Sequence, residues 1–588
     1  MSQAPLPSRF PVQSRGLNFY TLDDNLQRFL QRKFPDLLQR QENRLRELGE
    51  WVGGDLDEQA EYSDRYAPPQ LHSMPDRRGQ TGPRHNEVVF NARYEDAQRE
   101  IYRRGVIGLS FTEQNPEPHS LSFVMGYLLS HSDIATHCPV TMTGAVAYVV
   151  QKFASPEVKK KYLYESTRMD GLAKTGGTWA TEKHSGSDVA RTQTTARKAE
   201  DGTFRLTGQK WFASNASSGL AVATARAEGT EGAKGLGLYL VPSHIDPQWK
   251  IPNHYEVTAL KDKLGTRALA TAELQLNGAV GIEVVPPPQG LRVMMEALGY
   301  SRVHNAMGAA GVVHRAYIEA LCWTENRETF GMKLIERPMI QKKLTGLAVE
   351  HLAASALAFE AARSFDESQD DKAESRLWMR IVTAVAKHRT AQQAVHAAKT
   401  AVELVGGNGY TEEWPTARLF RDAMVLPVWE GPEQIQALEL IRVLNGAEDG
   451  TKILTDRLDR MAAALPAAMK PEREILKRHL TALKNELNTL KNNPQQAELV
   501  ADDLLNQIAD TMTYALLCDD AAWDLQHDGS PKKLLAARHY AEQVFPPKSV
   551  KTDAAKLKTL FAAVVRNETV PGILPVKSKK PKLPGRAP

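Results

Sequence analysis

Cysteine is scarce in this 588-residue chain. Cys138, Cys322 and Cys518 lie far apart and show no CxxC or Cys/His spacing, so neither a disulfide framework nor a zinc site is supported, no metal is expected, and a reducing compartment is the default. Long apolar runs are missing as well. No stretch reaches the roughly 18 residues a membrane helix needs, and the opening MSQAPLPSRFPVQSRG has no apolar core for a secretory signal, so a cytoplasmic protein with no membrane span is expected. The acid-free start, with Arg9, Arg15 and three serines, resembles a transit peptide, but its three prolines oppose the amphipathic helix such a peptide requires. Excess charge is absent too: a formal +4 is too small to announce a nucleic-acid or membrane partner, and any such partner must be argued from local clustering.

What is present is length enough for about three to four domains and a pattern that changes twice. Residues 1–17 read as a loose arm, Leu22 to Val52 as helical, 64–86 as a long loop, and Tyr94 to Lys161 as several helices with breaks at Ser110–Asn115 and His137–Val140. From Gly176 the pattern turns to short alternating runs with turn dipeptides, of which Asp201-Gly202 is a strong hairpin signal. After the prolines at 286–288, helical periodicity returns in Leu291–Arg327, Met339–Phe365, Leu377–Val405 and Gln434–Asn445, and again from Lys452 to Arg566. The expected division is a helical domain with an N-terminal arm at 1–175, a β domain at 176–288, a helical domain at 289–446, a helical extension at 447–570 and a basic, Pro-rich disordered tail at 571–588. The fold class expected is α+β, mostly α. If the extension is a separate unit, truncation after Asn445 leaves the rest intact.

Five stretches could carry chemistry. RDAMVLPVWEGPEQI, Arg421 to Ile435, sets one acid, Glu430, among apolar neighbours, where ionisation is disfavoured and a carboxylate becomes a useful general base. An ordinary helix-start acid before Pro432 is the competing reading. WATEKHSGSD, Trp179 to Asp188, offers small residues and hydroxyls for close backbone approach to a ligand, or simply a turn. GQKWFASN, Gly208 to Asn215, sets aromatics beside Ser214 on a strand, or in a core. RETFG, Arg327 to Gly331, ends a helix. GGNGY, Gly406 to Tyr410, lacks the strand-before, helix-after context of a dinucleotide fingerprint, so a nicotinamide cofactor is rejected.

In this order and at these separations the stretches resemble the acyl-CoA dehydrogenase flavoprotein family over roughly Leu109 to Asn445. The resemblance implies an N-terminal helical domain, a middle β-barrel or sandwich and a C-terminal four-helix bundle, to which this chain adds its helical extension. It implies FAD and an acyl-CoA substrate. Glu430 matches the base that takes the proton α to the thioester carbonyl while the β hydrogen leaves as hydride to the flavin, and Gly431 adjoins it at the substrate. Thr181 and Ser214 match hydroxyls on the isoalloxazine, and Phe212 the aromatic covering it. Ser187 matches a position near the thioester tail, and Arg302 a buried arginine behind the acyl site. Arg327, Thr329, Phe330, Gly406, Gly407, Glu403 and Gln434 match elements holding the pyrophosphate and adenosine end, supplied by a neighbouring subunit, which implies a homotetramer. An electron-transfer flavoprotein or similar acceptor is the implied partner.

Departures from the family pattern sharpen the resemblance. Glu403 and Pro338 stand where glutamines are common, Pro432 where Thr or Ser is, and Lys183-His184 where Pro-Asp or Pro-Gly is. With CPVTMT at Cys138 to Thr143 and the extension, they resemble the AidB branch, alkylation-response flavoproteins whose weak dehydrogenase activity accompanies DNA binding by the C-terminal region. Two functions are therefore open: an acyl-CoA dehydrogenase, or a DNA-associated protective flavoprotein. Candidate phosphate contacts are Lys470, Arg473, Lys477, Arg478, Lys532 and Lys533, with Lys577, Lys579, Lys580, Lys582 and Arg586 in the tail. Interleaved acids, among them Glu472 and Asp502, offer the alternative of a solvated helix face.

Overall fold

A computed structural model describes residues 10–74, 85–370, 372–492 and 494–545. Its middle third is a small closed barrel. Strand Leu220–Ala227 pairs Thr195–Lys198, which pairs Phe204–Ser214, then Thr271–Val285, then Leu236–Pro242, which returns to Leu220–Ala227. Closure leaves no open edge in this ring. Gly176–Trp179 joins it parallel through Leu220–Ala227, and Tyr255–Leu260 antiparallel through Thr271–Val285. The Asp201-Gly202 turn connects the antiparallel strands Thr195–Lys198 and Phe204–Ser214, with Gly202 at φ 79°, as the dipeptide predicts.

Helices flank the barrel. Gly290–Asn326, Pro338–Glu367, Ala373–Val405 and Glu433–Leu444 form the bundle on the C-terminal side. In the first, Ala306, Gly308, Ala309, Ala310 and Gly311 are buried, and small side chains let the N-terminal helix His119–Leu129 come close. A Cβ on Gly311 would lie 2.5 Å from the Tyr127 carbonyl oxygen, so this crossing requires glycine. Asp23, enclosed beneath the same helices, accepts from the Tyr127 hydroxyl and lies 3.5 Å from His314 Nδ1 and 3.6 Å from His351 Nε2. The two imidazoles stack with centroids 4.3 Å apart and planes at 22°, so their in-plane lone pairs run nearly parallel and do not converge on one ion.

Two sequence expectations are corrected. His137–Val140 is not a break: the helix runs Ile134–Phe153 with Pro139 inside its second turn, and Thr143 Oγ1 donates to the Pro139 carbonyl at 2.6 Å. Within 64–86, residues Gln70–Met74 form a strand paired with His85–Val89. Its anchor is remote, since Asn86 Nδ2 donates to the Val257 carbonyl at 2.9 Å and Leu71 and Val88 pack on the barrel core. The C-terminal helices Gly450–Ala464, Lys470–Asn492, Ala501–His527 and Lys532–Val544 pack against the rest of the chain. Arg389 meets Asp510 at 2.6 Å, Arg457 meets Glu367 at 2.7 Å, and Arg32 meets Asp519 and Asp520 at 2.7 and 2.8 Å, while Leu504, Leu505, Ile508 and Met512 belong to the main core. Truncation after Asn445 is therefore expected to yield insoluble or flavin-free protein, checked by soluble yield and the visible flavin band; a soluble, yellow fragment would show a separate unit.

The basic positions considered for DNA are partly engaged within the chain. Lys470, Lys532 and Lys533 meet Glu474, Asp24 and Asp520 at 3.8, 3.0 and 3.3 Å, with Lys533 buried, and Arg473 donates to the Leu465 carbonyl. Lys477 and Arg478 are exposed, and Lys577, Lys579, Lys580, Lys582 and Arg586 lie outside the described residues. Among the described residues no helix is long and apolar enough to cross a membrane.

Candidate active site

The site grows from the Arg421-Asp422 pair at the end of helix Pro415–Ala423. Arg421 Nη2 lies 2.5 Å from Asp64 and 2.7 Å from Glu412, while Asp422 Oδ1 accepts from the Thr266 N–H at 2.5 Å. A Cβ on Gly265 would come within 2.4 Å of the Arg421 backbone, so glycine lets the barrel loop lie directly on the helix. Burial, then the nearby Asp64 carboxylate, push the Asp422 carboxyl up to about 7. This contact locks barrel to bundle beside Glu430.

After that helix the chain turns through Val425–Trp429, then helix Glu433–Leu444 starts behind Pro432. Between them Glu430 has φ 57° and Gly431 φ 96°. A left-handed glutamate costs about 1–3 kcal/mol and persists only where its surroundings over-determine it. They do. Arg302 Nε donates to the Glu430 carbonyl at 2.9 Å, and Gln436 Nε2 donates to the Glu430 and Gly431 carbonyls at 3.2 and 2.9 Å. Lys387 Nζ donates to the carbonyls of Pro427 at 3.2 Å and Gly431 at 2.7 Å. The Glu430 residue as a whole is half-buried, but its Oε2 is enclosed and has no hydrogen-bond partner. Burial raises the carboxyl above its ordinary range, opposed by the charges of Arg302 and Lys387.

On the barrel side, Lys210 pairs with Leu274 and Ala213 with Ala272, so Trp211 and Phe212 together face one residue of the neighbouring strand. This bulge puts Phe212 at φ 55° and turns its ring outward, 57% exposed. Ser214 Oγ lies 3.1 Å from Thr271 Oγ1, which accepts from Lys263 Nζ at 3.1 Å. Lys263 also donates to the Leu269 carbonyl at 2.7 Å; burial lowers its ammonium to about 8, opposed by Cys138, Asp422 and Asp64. Leu269, Cys138 and Trp429 share one apolar cluster, and the Cys138 thiol, raised first by burial, feels the Glu430 charge. Ser214 and Glu430 are thus brought to the same region from opposite domains.

Thr181 is fixed by its backbone, whose carbonyl accepts from Trp211 N at 2.9 Å. Its neighbour Glu182 meets the buried Lys210 ammonium at 2.8 Å and accepts from the Thr194 hydroxyl at 2.6 Å and Gln193 N at 2.6 Å. Burial penalises both charges. It leaves Lys210 below its ordinary range despite Glu182, whereas Lys210 and the hydrogen bonds carry Glu182 below the usual carboxylate range. Glu182 is thereby held ionised at neutral pH, and its charge favours the protonated lysine. Ser187 is exposed beside Gly186, where an added Cβ would meet nothing within 4 Å.

The residues matched to the pyrophosphate lie elsewhere. Arg327 leaves helix Gly290–Asn326 into the hairpin Glu328–Thr329 with Met332–Lys333, at whose tip Phe330 is 99% exposed with φ 50°. Gly406 and Gly407 are exposed at the end of helix Ala373–Val405, and Glu403 is exposed and paired with Lys399 at 2.6 Å. Trp323 packs edge-on against Trp414 at 5.0 Å, tying the two segments together. Among the described residues none of these touches Glu430. Gln434 is exposed; Gln436, two residues further on and so on the opposite side of the helix, bonds the Glu430 loop. Sequence reasoning missed Gln436, Lys387 and Lys263; the first two gave only the signal of a long polar side chain among apolar residues, and Lys263, beside Asp262 in a charged loop, gave none.

The donor set fits FAD. An outward aromatic face at Phe212, hydroxyls at Thr181 and Ser214 and the partnerless carboxylate oxygen of Glu430 suit a planar heterocycle with an apolar face and polar edge. Barrel, bundle and enclosed carboxylate define a class, the acyl-CoA dehydrogenase flavoproteins, FAD-dependent oxidoreductases. The chain belongs to this family, in its AidB-like branch: residues 11–169 match the adaptive response protein AidB N-terminal domain, 177–279 the acyl-CoA dehydrogenase middle domain and 288–444 its C-terminal domain. It is 30% identical over 376 residues to the putative acyl-CoA dehydrogenase AidB of Escherichia coli, covering 62% of this chain and 68% of that one. It is 29% identical over 468 residues to acyl-CoA dehydrogenase family member 11 of Caenorhabditis elegans, 75% of each. The crystal structure of C. elegans ACDH-11 in complex with C11-CoA superposes with a TM-score of 0.87 at 25% identity, covering 97% of this chain and 99% of that one. The family and fold expected from the sequence are borne out.

Proposed function

We propose that the protein oxidises a fatty or branched acyl-CoA to its trans-2-enoyl product with Glu430 as the base. The observation that carries this is the Glu430 carboxylate, enclosed and partnerless at Oε2 on a strained backbone that five carbonyl contacts hold in place. Bound FAD supplies the hydride acceptor. Glu430 takes the proton from the carbon α to the thioester, and its burial makes it basic enough to receive that proton without water competing. Arg302, fixed on the Glu430 carbonyl, holds the base's backbone from behind. Thr181 and Ser214 would bind the flavin's polar edge and Phe212 cover its ring; Ser187 and Gly431 would face the thioester. The exposed set of Arg327, Thr329, Phe330, Glu403, Gly406, Gly407 and Gln434 would receive the pyrophosphate end of a cofactor shared with a neighbouring copy, in a homotetramer, and an electron-transfer flavoprotein or similar carrier would accept the electrons.

Anaerobic titration of the yellow protein with saturated acyl-CoAs, including the eleven-carbon thioester bound by the nematode relative, tests this. Bleaching by one chain class establishes the activity. No bleaching of a dithionite-reducible flavin would favour the DNA-associated reading, for which DNA affinity should fall with salt by a log–log slope of about 0.9 per neutralised phosphate. The pH dependence has a definite sign. Glu430 accepts a proton only when ionised and its pKa is raised by burial, so flavin reduction at saturating acyl-CoA is expected to slow as pH falls through that raised value and to level off above it. Stopped-flow bleaching from pH 5 to 9 checks it, and a flat profile counts against Glu430.

A further inference from the structure

Lys387 is the buried charge that the reading above leaves without a task. It sits in the middle of helix Ala373–Val405, 1% exposed, and reaches into the Glu430 loop. Its ammonium bonds backbone carbonyls on both sides of the base, Pro427 before it and Gly431 after it. No other described side chain spans the loop in this way: Arg302 and Gln436 bind the Glu430 and Gly431 carbonyls only. Two carbonyl oxygens take two of the ammonium's three N–H donors and leave its charge uncompensated, and an uncompensated buried charge is costly. The compensating anion at hand is the Glu430 carboxylate.

We propose that Lys387 is the positioning residue of the base: by bonding the Pro427 and Gly431 carbonyls it holds Glu430 in its left-handed turn, and by its charge it sets the proton affinity of the Glu430 carboxylate. The proposal rests on Glu430 being the base. Other groups facing the site are accounted for. Arg302 faces Glu430 from helix Gly290–Asn326 with a permanent charge and is itself flanked by Glu439, Arg380 and Arg442; Cys138 faces it from helix Ile134–Phe153 with a thiol held neutral by burial. His388, next on the helix, turns away to Asn506 at 3.0 Å and lies 3.6 Å from Glu433. Lys263, its ammonium lowered to about 8, faces the region from the barrel but bonds the Leu269 carbonyl and Thr271 Oγ1, so Lys387 is the titrating cation bonded to this loop. Burial lowers its ammonium to about 7, held up in part by Glu430, so the charge is adjustable near neutrality as that of Arg302 is not.

The test uses the full-length holoenzyme with Lys387→Met, Lys387→Gln and Lys387→Arg. Isotope-edited infrared difference spectra across pH follow the protonated Glu430 carboxyl, assigned as the band absent from Glu430→Gln, beside the pH profile of flavin reduction by acyl-CoA. The expected result is that Lys387→Met and Lys387→Gln move the Glu430 titration upward by about one unit or more, that the Met variant, which also loses both carbonyl bonds, shows the larger fall in the high-pH rate, and that Lys387→Arg returns the titration toward wild type. Should the Met variant fail to fold, the Gln variant carries the charge test alone. A Glu430 band titrating as in wild type in both neutral variants overturns the proposal. Because the band is read without turnover, this outcome is distinct from failure of the dehydrogenase reading, which would appear as no bleaching of the wild-type flavin by any acyl-CoA, and from failure of Glu430 as the base, which would appear as bleaching retained in Glu430→Gln.

Discussion

Glu430→Gln is expected to keep its yellow flavin and lose acyl-CoA-driven flavin reduction by at least about 10²–10⁴-fold, the usual contribution of a general base. The substitution preserves shape, so the carbonyl contacts from Arg302, Gln436 and Lys387 remain and the loop keeps its turn. What disappears is proton acceptance, since an amide has no basicity near neutral pH. Stability moves in the opposite direction. An acid whose folded pKa is raised keeps its proton longer in the native state, so native stability falls as pH rises from the unfolded pKa through the folded one and stays lowered above it. Gln removes that penalty, and thermal unfolding at pH 8 should come at or above the wild-type temperature. Single-turnover bleaching and a melting curve on one preparation check both halves. Retained bleaching would assign the base to another residue; lost flavin would mean the carboxylate serves the cofactor rather than the substrate.

The order of helices, barrel and helices was legible because each segment carries its own period, and the site segments because their residues are local in sequence. Glu430 stood out from four apolar neighbours, and Phe212 from its pairing with Trp211. What was not legible depends on contacts between distant segments. Lys387 lies in an alanine-rich helix whose pattern gives no reason for one lysine to turn inward, and only the Pro427–Gly431 carbonyls supply it. Gln434 and Gln436 look alike on paper; the helix phase after Pro432 decides that Gln436 faces the loop. The strand Gln70–Met74 carries no strand pattern of its own, because the barrel it packs on comes later in the chain. Pro139 signals a stop in sequence, yet near a helix start the bond it removes is single and the rest of Ile134–Phe153 continues.

Lys210→Met is expected to destabilise the barrel by about 3–5 kcal/mol at neutral pH, the cost of leaving one member of a buried ion pair alone. Lys210 is fully buried and Glu182 is 7% exposed, so water does not take over the lost ammonium. The remaining donors to Glu182, the Thr194 hydroxyl and the backbone N–H groups of Gln193 and Thr194, fix the carboxylate without neutralising it. Because Lys210 leads directly into the bulge at Trp211 and Phe212, and Trp211 N holds the Thr181 carbonyl, flavin content should fall with stability. Two comparisons identify the cause. Glu182→Gln with Lys210→Met removes both charges while keeping an acceptor for Thr194, and should recover most of the loss, as replacing whole buried pairs usually does. Lowering the pH should narrow the gap as well. In the wild type Glu182 has a depressed pKa and contributes stability that is lost as pH falls through it, whereas in the variant the lone carboxyl protonates early and sheds its penalty. Urea unfolding followed by tryptophan fluorescence at pH 7 and pH 5 measures both. A Lys210→Met protein as stable as wild type at pH 7 would show that the pair is neutral overall and that hydrogen bonds alone hold Thr181 in place.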